Sequence, residues 1–105
     1  IELISSAEPL KTENDALDLA ALCSEHDTYM LMIHSAALSR VFFNIKTRAA
    51  GNMIQKLINY GVRTAVIIPE EINRGRFKEM SMEMNKGRHF RLYEDREEAE
   101  KWLLQ

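Results

Sequence analysis

Lys46, Thr47 and Arg48 place a hydroxyl between two cationic side chains, just before an apolar helical pattern that ends at Gly61. A threonine at a helix start is most commonly an N-cap, whose hydroxyl accepts a hydrogen bond from a backbone N–H of the first turn. The same hydroxyl could be a phosphoacceptor, because a phosphate there would meet free helix N–H groups and both basic side chains. An anionic ligand could use the same groups without covalent change. The sequence therefore predicts a helix N-terminus that faces a site, with Thr47 as the candidate control point.

Gln55 and Asn59 lie four residues apart in the same helix, on a face offset from the apolar one. Together with Lys56 and Tyr60 they could form a surface for a protein partner. A solvated polar face is the alternative, since residues four apart on a helix often interact only with each other and with water. Both interpretations place these side chains outside the core.

Three further residues could contribute polar groups to a site. His34 ends a continuous apolar run and could serve as a polar group toward a ligand, with an ordinary strand-end role as the alternative. Lys86 and Arg88 flank Gly87, where they could bind a ligand or could be solvated charges around a glycine that ends a helix. Because their loop enters a strand, we expect it at the opposite end of a parallel sheet from the loop after His34.

The usual signatures of enzymes are missing from the sequence. There is no glycine-rich phosphate loop and no nucleophile elbow. The three histidines do not have metal-ligand spacing, so we expect no metal and no cofactor. Cys23 lies within an apolar helical run, which indicates a buried thiol in a reducing compartment. The sequence does not decide whether the protein is an enzyme, but the missing signatures favour a non-enzymatic function.

The composition is that of an ordinary globular domain, with 105 residues, 46% hydrophobic content, 29% charged content and a net charge of −2. Seven acidic residues face one basic residue in 1–27, and eleven basic residues face four acidic ones in 40–91. This segregation could support a homodimer with complementary surfaces. No run of five like charges and no apolar run of membrane-spanning length is present, so we expect no nucleic acid, no membrane and a cytoplasmic location.

Strand-like and helix-like patterns alternate along the chain. Apolar β-branched runs predict strands, and a period of 3.6 residues predicts helices. The predicted strands are 1–5, 28–34, 62–68 and 89–93, and the predicted helices begin at Thr12, with a capping box to Asp15, and span 47–60, 71–84 and 94–105. This order predicts one α/β domain over residues 1–105, with a mostly parallel or mixed sheet and helices packed on it.

The segments FFNIKTRAAGNMIQKLINYGVRTAVII, NKGRHF and EEAEKWL resemble a bacterial family catalogued as domain of unknown function 4180. That family shows a Phe-Phe pair, a Leu-Lys-Thr-Gly type turn, a Gly-Glu-Ile-Leu-Gln-Lys type helix and an Asn-Lys-Gly-Arg type loop. Arg48 and Asn52 depart from the commoner Gly and Glu. The resemblance covers nearly the whole chain, implies a strand before Ile1 and implies no established activity. The matching positions are Phe42, Phe43, Lys46, Thr47, Gly51, Gln55, Lys56, Asn59, Tyr60, Asn85, Lys86, Gly87 and Arg88.

More distantly, the order of elements is similar to the STAS domains, the fold of the anti-sigma-factor antagonists. In that pattern a helix opens with a phosphorylatable Ser or Thr, which places Thr47 near the phosphoacceptor and Gly51 near a small residue of the same helix. The Asp-Ser-Ser/Thr-Gly turn of those domains is replaced here by Ile45-Lys46-Thr47-Arg48. The resemblance implies a STAS-like fold and a regulatory role.

These observations favour a non-enzymatic bacterial regulatory or protein-interaction module that uses the loop and helix 45–60. The alternative is a domain that binds an anionic small molecule, or a minor enzyme, with its site at the 34–48 loop and with His34 and Thr47 as polar groups. The expected partner is a protein, and a homodimer is a further hypothesis. The candidate binding residues are Lys46, Thr47, Arg48, Gln55, Asn59, Lys86 and Arg88.

Overall fold

Strands and helices alternate in the computed structural model, which describes residues 1–4, 10, 12–39, 42, 48–71 and 73–105. The side chains of Ala49, Arg76, Phe77 and Ser81 are outside this description. The strands of the described part are β1 (Glu2–Leu3), β2 (Met30–His34), β3 (Arg63–Ile67) and β4 (Phe90–Tyr93). The helices of the same part are α1 (Glu13–Glu25), α2 (Ala49–Asn59), α3 (Gly75–Met84) and α4 (Arg96–Leu103), with a short 3₁₀ helix at Ser35–Ala37.

The four strands form one sheet in the order β1-β2-β3-β4, and every neighbouring pair is parallel. Met32 pairs with Glu2 on one side and with Ala65 on the other, which fixes the register across the centre. The α/β prediction is confirmed. Because each strand pairs with the next one along the chain, the right-handed crossover rule places the connecting helices on the same face of the sheet.

The main core lies between the sheet and the three connecting helices. Leu31 and Ile33 of β2 face it, together with Met53 and Leu57 of α2. Met32, which lies between them in β2, points to the opposite face of the sheet, as strand geometry requires. Met32 therefore belongs to a second, smaller core, which Ala65, Ile67, Ala99, Trp102 and Leu103 complete. Helix α4 covers this second face.

Local signals explain most of the element boundaries. Helix α1 begins after Thr12, whose hydroxyl accepts from the backbone N–H of Asp15 while the Asp15 carboxylate accepts from the Thr12 N–H, so the predicted capping box is confirmed. Gly61 ends α2 with a φ of 72°, the left-handed conformation that glycine adopts without steric cost. The predicted helix 71–84 begins only at Gly75, because Glu70 and Glu71 form a turn.

Helix α4 is fixed to the sheet through its tryptophan. The Arg63 guanidinium lies 4.3 Å from the centroid of the Trp102 ring, and the Arg91 guanidinium lies 5.3 Å from it. Arg63 Nη2 also donates to the Trp102 carbonyl at 2.7 Å. Cations over an indole ring attract its negative face, so these contacts hold the end of α4 against β3 and β4.

Candidate functional site

The N-terminus of α2 is the part of the predicted site that the structure describes least. The helix begins at Ala49, and the N-cap position falls on Arg48 instead of residue 47, with φ 61° and no side-chain cap hydrogen bond. The prediction of a helix beginning at residue 47, with a threonine N-cap, is therefore wrong at this boundary. Lys46 and Thr47 lie outside the described residues, so the phosphoacceptor hypothesis stays a prediction. Arg48 is exposed.

Helix α2 separates into a buried and an exposed face, as its periodicity predicts. Met53 and Leu57 are almost completely buried in the main core, which fixes the helix on the sheet. Gln55 and Asn59 are both exposed, and Gln55 Nε2 donates to Asn59 Oδ1 at 2.9 Å. The sequence expectation that these two side chains share one solvent face is confirmed. Their role in binding stays a prediction.

The exposed face of α2 differs in charge from those of the other described helices. From Asn52 through Gln55 and Asn59 to Tyr60, the exposed side chains are uncharged. Lys56 lies on the same face, between Asn52 and Tyr60, with 37% of its side chain exposed, and its Nζ lies 3.9 Å from Glu13 Oε2 of α1. By contrast, exposed carboxylates or ammonium groups occur on α1 and α4 at Glu13, Asp18, Glu25, Glu97, Glu98, Glu100 and Lys101.

A cavity of about 320 Å³ opens where α1 and α2 end, at the amino edge of the sheet. Tyr29 and Tyr60 stand at it with 63% and 61% of their surface exposed. The thiol of Cys23 is buried at its base, and this burial raises the pKa of the thiol, so it stays protonated at neutral pH. The full lining is Ala20, Cys23, Ser24, Asp27, Thr28, Tyr29, Tyr60 and Val62.

The sequence analysis did not predict this cavity, although the sequence contains a signal for it. Tyr29 directly precedes β2, and Tyr60 stands two residues before Val62 in the connection to β3. In both cases a tyrosine follows the end of a helix and precedes a parallel strand. Consecutive parallel strands begin at the same edge of a sheet, which brings the two tyrosines to one place.

His34 lies at the opposite, carboxyl edge and is paired. Its Nε2 is 2.5 Å from Glu2 Oε2, and Arg96 donates from Nε and Nη2 to the two oxygens of the same carboxylate at 2.8 Å. Arg96 Nη1 also donates to Glu100 Oε2 at 2.7 Å. The hydrogen bonds from Arg96 and then from His34 lower the pKa of Glu2 from 4.5 to about 2.

This cluster favours a structural role over anion binding. The Arg96 guanidinium already binds the carboxylates of Glu2 and Glu100. An anionic ligand would have to displace one of these carboxylates. The described part of the adjoining loop also packs inward, since Ala37, Leu38 and Phe42 are buried. No described contact tests His34 as a ligand group, so that role stays a prediction.

The loop with Lys86 and Arg88 enters β4, so the parallel sheet places it at the opposite edge from His34, as expected. Lys86 Nζ lies 3.1 Å from Glu83 Oε2, with both side chains highly exposed, and Arg88 is exposed too. These charges stay candidates for binding. Arg48 is the N-cap of α2, which the parallel topology places at the opposite edge of the sheet from this loop.

Asn85 has a structural function that the sequence did not reveal. Its side-chain amide donates to the Leu92 carbonyl at 2.8 Å, and its Oδ1 accepts from the Leu92 N–H at 2.7 Å. Strand β4 is at the edge of the sheet, and its bonds to β3 use His89 and Tyr93. The Asn85 amide therefore closes the outer edge of β4 as a neighbouring strand would, which protects that edge from pairing with other chains.

The described residues contain no group of three or more His, Cys, Asp or Glu side chains placed to hold a metal ion. None of the helices in the described ranges is both long enough and apolar enough to cross a bilayer. The cytoplasmic location stays a prediction.

Fold and surface together define a small α/β domain with a parallel sheet and helices on both faces. The chain belongs to the family described as Domain of unknown function (DUF4180), whose model matches residues 1–103. No curated protein and no solved structure is similar enough to match the chain. The family resemblance is therefore confirmed, and the more distant similarity to STAS domains stays a prediction.

Proposed function

We propose that this domain is a protein-interaction module and that its partner binds the exposed face of α2, formed by Asn52, Gln55, Asn59 and Tyr60. The observation that supports the proposal is that the fully exposed side chains of this described face are uncharged, while its lysine, Lys56, is partly buried beside Glu13, in a chain with 29% charged residues. The centres of protein interfaces are depleted in Lys, Glu and Asp and enriched in tyrosine. The exposed faces of α1 and α4 have the opposite composition.

The face also limits the entropy lost on binding. Met53 and Leu57 anchor α2 in the main core, so the helix is presented as a rigid element. The hydrogen bond between Gln55 and Asn59 already orders two of its side chains. Ordering flexible side chains opposes association, so a preordered face loses less on binding. Amide groups both donate and accept, and they pair with a partner backbone without a charge to desolvate.

Capture from a host lysate tests the proposal when a matched control is included. The immobilised wild-type domain is compared with Gln55→Lys, which introduces a charge on the α2 face, and with Asn14→Lys, the corresponding amide change on the exposed surface of α1. We expect one protein to be retained by the wild type and by Asn14→Lys and lost with Gln55→Lys. The purified partner is then titrated by calorimetry against the three domains.

Equal affinity of the purified partner for wild type and Gln55→Lys would overturn the proposal, as would failure to retain any protein. Circular dichroism and melting curves confirm that both variants are folded. The regulatory part of the hypothesis, which depends on Thr47, is tested in the same assay with Thr47→Glu. Loss of the partner with Thr47→Glu but not with Thr47→Ala would support control by a negative charge at this position.

A further inference from the structure

We infer that the cavity between Tyr29 and Tyr60 binds a cationic side chain, an arginine or a lysine, of the protein partner. This inference rests on the proposed function, because Tyr60 belongs both to the cavity and to the α2 face. A partner that contacts Asn59 therefore reaches the mouth of the cavity. Its volume of about 320 Å³ accommodates the end of one long side chain.

The electrostatics of the cavity favour a cation. Two helices, α1 and α2, end at this edge of the sheet, and the C-terminus of a helix has a partial negative charge. The last turn of α1 contains no basic residue, and Glu25 and Asp27 add two carboxylates there. Within the described part of the chain, neither carboxylate takes part in an ion pair.

Both signs of charge occur near this edge of the sheet, since the N-terminal ammonium of Ile1 donates to the Met30 carbonyl at 3.0 Å, whereas the cavity lining itself contains the carboxylate of Asp27 and no basic residue. Cys23 contributes a neutral thiol, because burial raises its pKa. Lys86 and Arg88 belong to the loop that leads into β4, and β4 is two strands away from β2 in the sheet. Lys86 also forms an ion pair with Glu83. Lys56 is the basic residue in the last turn of α2, and its ammonium group lies 3.9 Å from Glu13 Oε2.

The two tyrosines supply the walls for a guanidinium or ammonium group. Aromatic faces attract cations, and arginine stacks on them with its planar guanidinium. The same chemistry already operates inside this domain, where Arg63 and Arg91 lie over Trp102. Tyr29 and Tyr60, with more than half of their surface exposed, do not have such a cation within the described residues.

The test uses N-acetyl-arginine-N-methylamide as the probe and NMR of the ¹⁵N-labelled domain as the readout. We expect saturable shifts confined to the backbone amides around Asp27, Tyr29 and Tyr60. N-acetyl-citrulline-N-methylamide, which has nearly the same shape without the charge, should give none. Asp27→Asn should lower the affinity for the arginine probe roughly fivefold or more, as expected for the loss of one carboxylate about 4 Å from a cation.

Asp27→Asn preserves the fold, because Asp27 has a φ of 54° and asparagine tolerates left-handed backbone. Asp18→Asn is the matched control, since it removes the same charge from an exposed position of α1 away from the cavity. Equal shifts with the citrulline probe, no shifts at all, or equal weakening by Asp18→Asn would overturn the inference.

The two proposals fail in distinguishable ways. If Gln55→Lys abolishes partner binding while Asp27→Asn leaves it unchanged, the α2 face stands and the cavity assignment is wrong. If the arginine probe binds while Gln55→Lys leaves partner binding unchanged, the α2 face is wrong. Tyr60→Phe keeps the aromatic wall and should preserve partner binding, whereas Tyr60→Ala should lose it.

Discussion

Arg96 of α4 donates to both carboxylate oxygens of Glu2 in β1, with both distances at 2.8 Å. Residues 94 positions apart in the chain thus form a bidentate pair, the geometry in which arginine binds a carboxylate most strongly. The pair ties a two-residue edge strand to the helix on the second face of the sheet. His34 of β2 contacts the same carboxylate, so three elements meet at one charged group.

This arrangement predicts that Glu2 contributes to acid sensitivity. The pKa of Glu2 is about 2 in the folded chain and 4.5 ordinarily, so the folded state favours the ionised form. Its stabilising contribution is complete above about pH 4.5 and is lost as the pH falls through about 2. We expect Glu2→Gln to lower the melting temperature at pH 7 and to lose less stability than the wild type between pH 5 and pH 2.

Melting curves of wild type, Glu2→Gln and Glu70→Gln at several pH values in that range check this prediction. Glu70 is exposed in a turn, so its amide variant should follow the wild-type profile. An unchanged profile for Glu2→Gln would show that the pair with Arg96 does not contribute to stability.

Asn85→Ala should both destabilise the domain and open the edge of β4. The change leaves the N–H and the C=O of Leu92 without their partner, and an unmade backbone hydrogen bond costs about 1 kcal/mol or more. Urea unfolding measures the loss, and light scattering during storage measures aggregation through the exposed strand edge. Asn52→Ala, at an exposed helical position, should stay within about 0.5 kcal/mol of wild type.

Arg63→Lys should loosen the end of α4. Lysine keeps the charge but loses the planar contact with Trp102 and the hydrogen bond to its carbonyl, at a cost of about 1 kcal/mol. Trp102 is the one tryptophan of the chain, so its fluorescence reports directly on this site. We expect a red-shifted emission and stronger quenching by acrylamide, with Arg88→Lys as the exposed control. Unchanged emission would contradict the assigned role of Arg63.

The homodimer hypothesis has a simple salt test. Complementary acidic and basic surfaces would associate at low ionic strength and separate when salt shortens the electrostatic range. Gel filtration at about 0.05 M and about 0.5 M NaCl should then show a shift from dimer to monomer, since the Debye length falls severalfold over that range. The elution volume of a monomer at both salt concentrations would contradict the homodimer hypothesis.

Local patterns predicted the elements well, because strands and helices here follow short-range rules. The apolar runs around Leu31 and Val66 gave β2 and β3 to within two residues, and the Thr12–Asp15 box gave the start of α1. The spacing of Gln55 and Asn59 also placed both on one exposed face.

Contacts between residues far apart in the chain could not be predicted from the sequence. Glu2, His34 and Arg96 come from three elements, and no spacing rule links a strand residue to a helix residue 94 positions later. Asn85 illustrates the same limit at short range. Its position after α3, two residues before Gly87, does not reveal that its amide bonds Leu92 at the edge of the next strand.

Helix α4 follows the four strands of the described part in chain order, and it covers the second core. A ribosome therefore completes the sheet before it delivers the helix that shields Met32, Ala65 and Ile67. For that interval the nascent domain displays an apolar sheet surface, which is the kind of surface that chaperones bind. During synthesis the main core can therefore form first, and the second core forms only when the last turn of α4 brings Trp102 to Arg63.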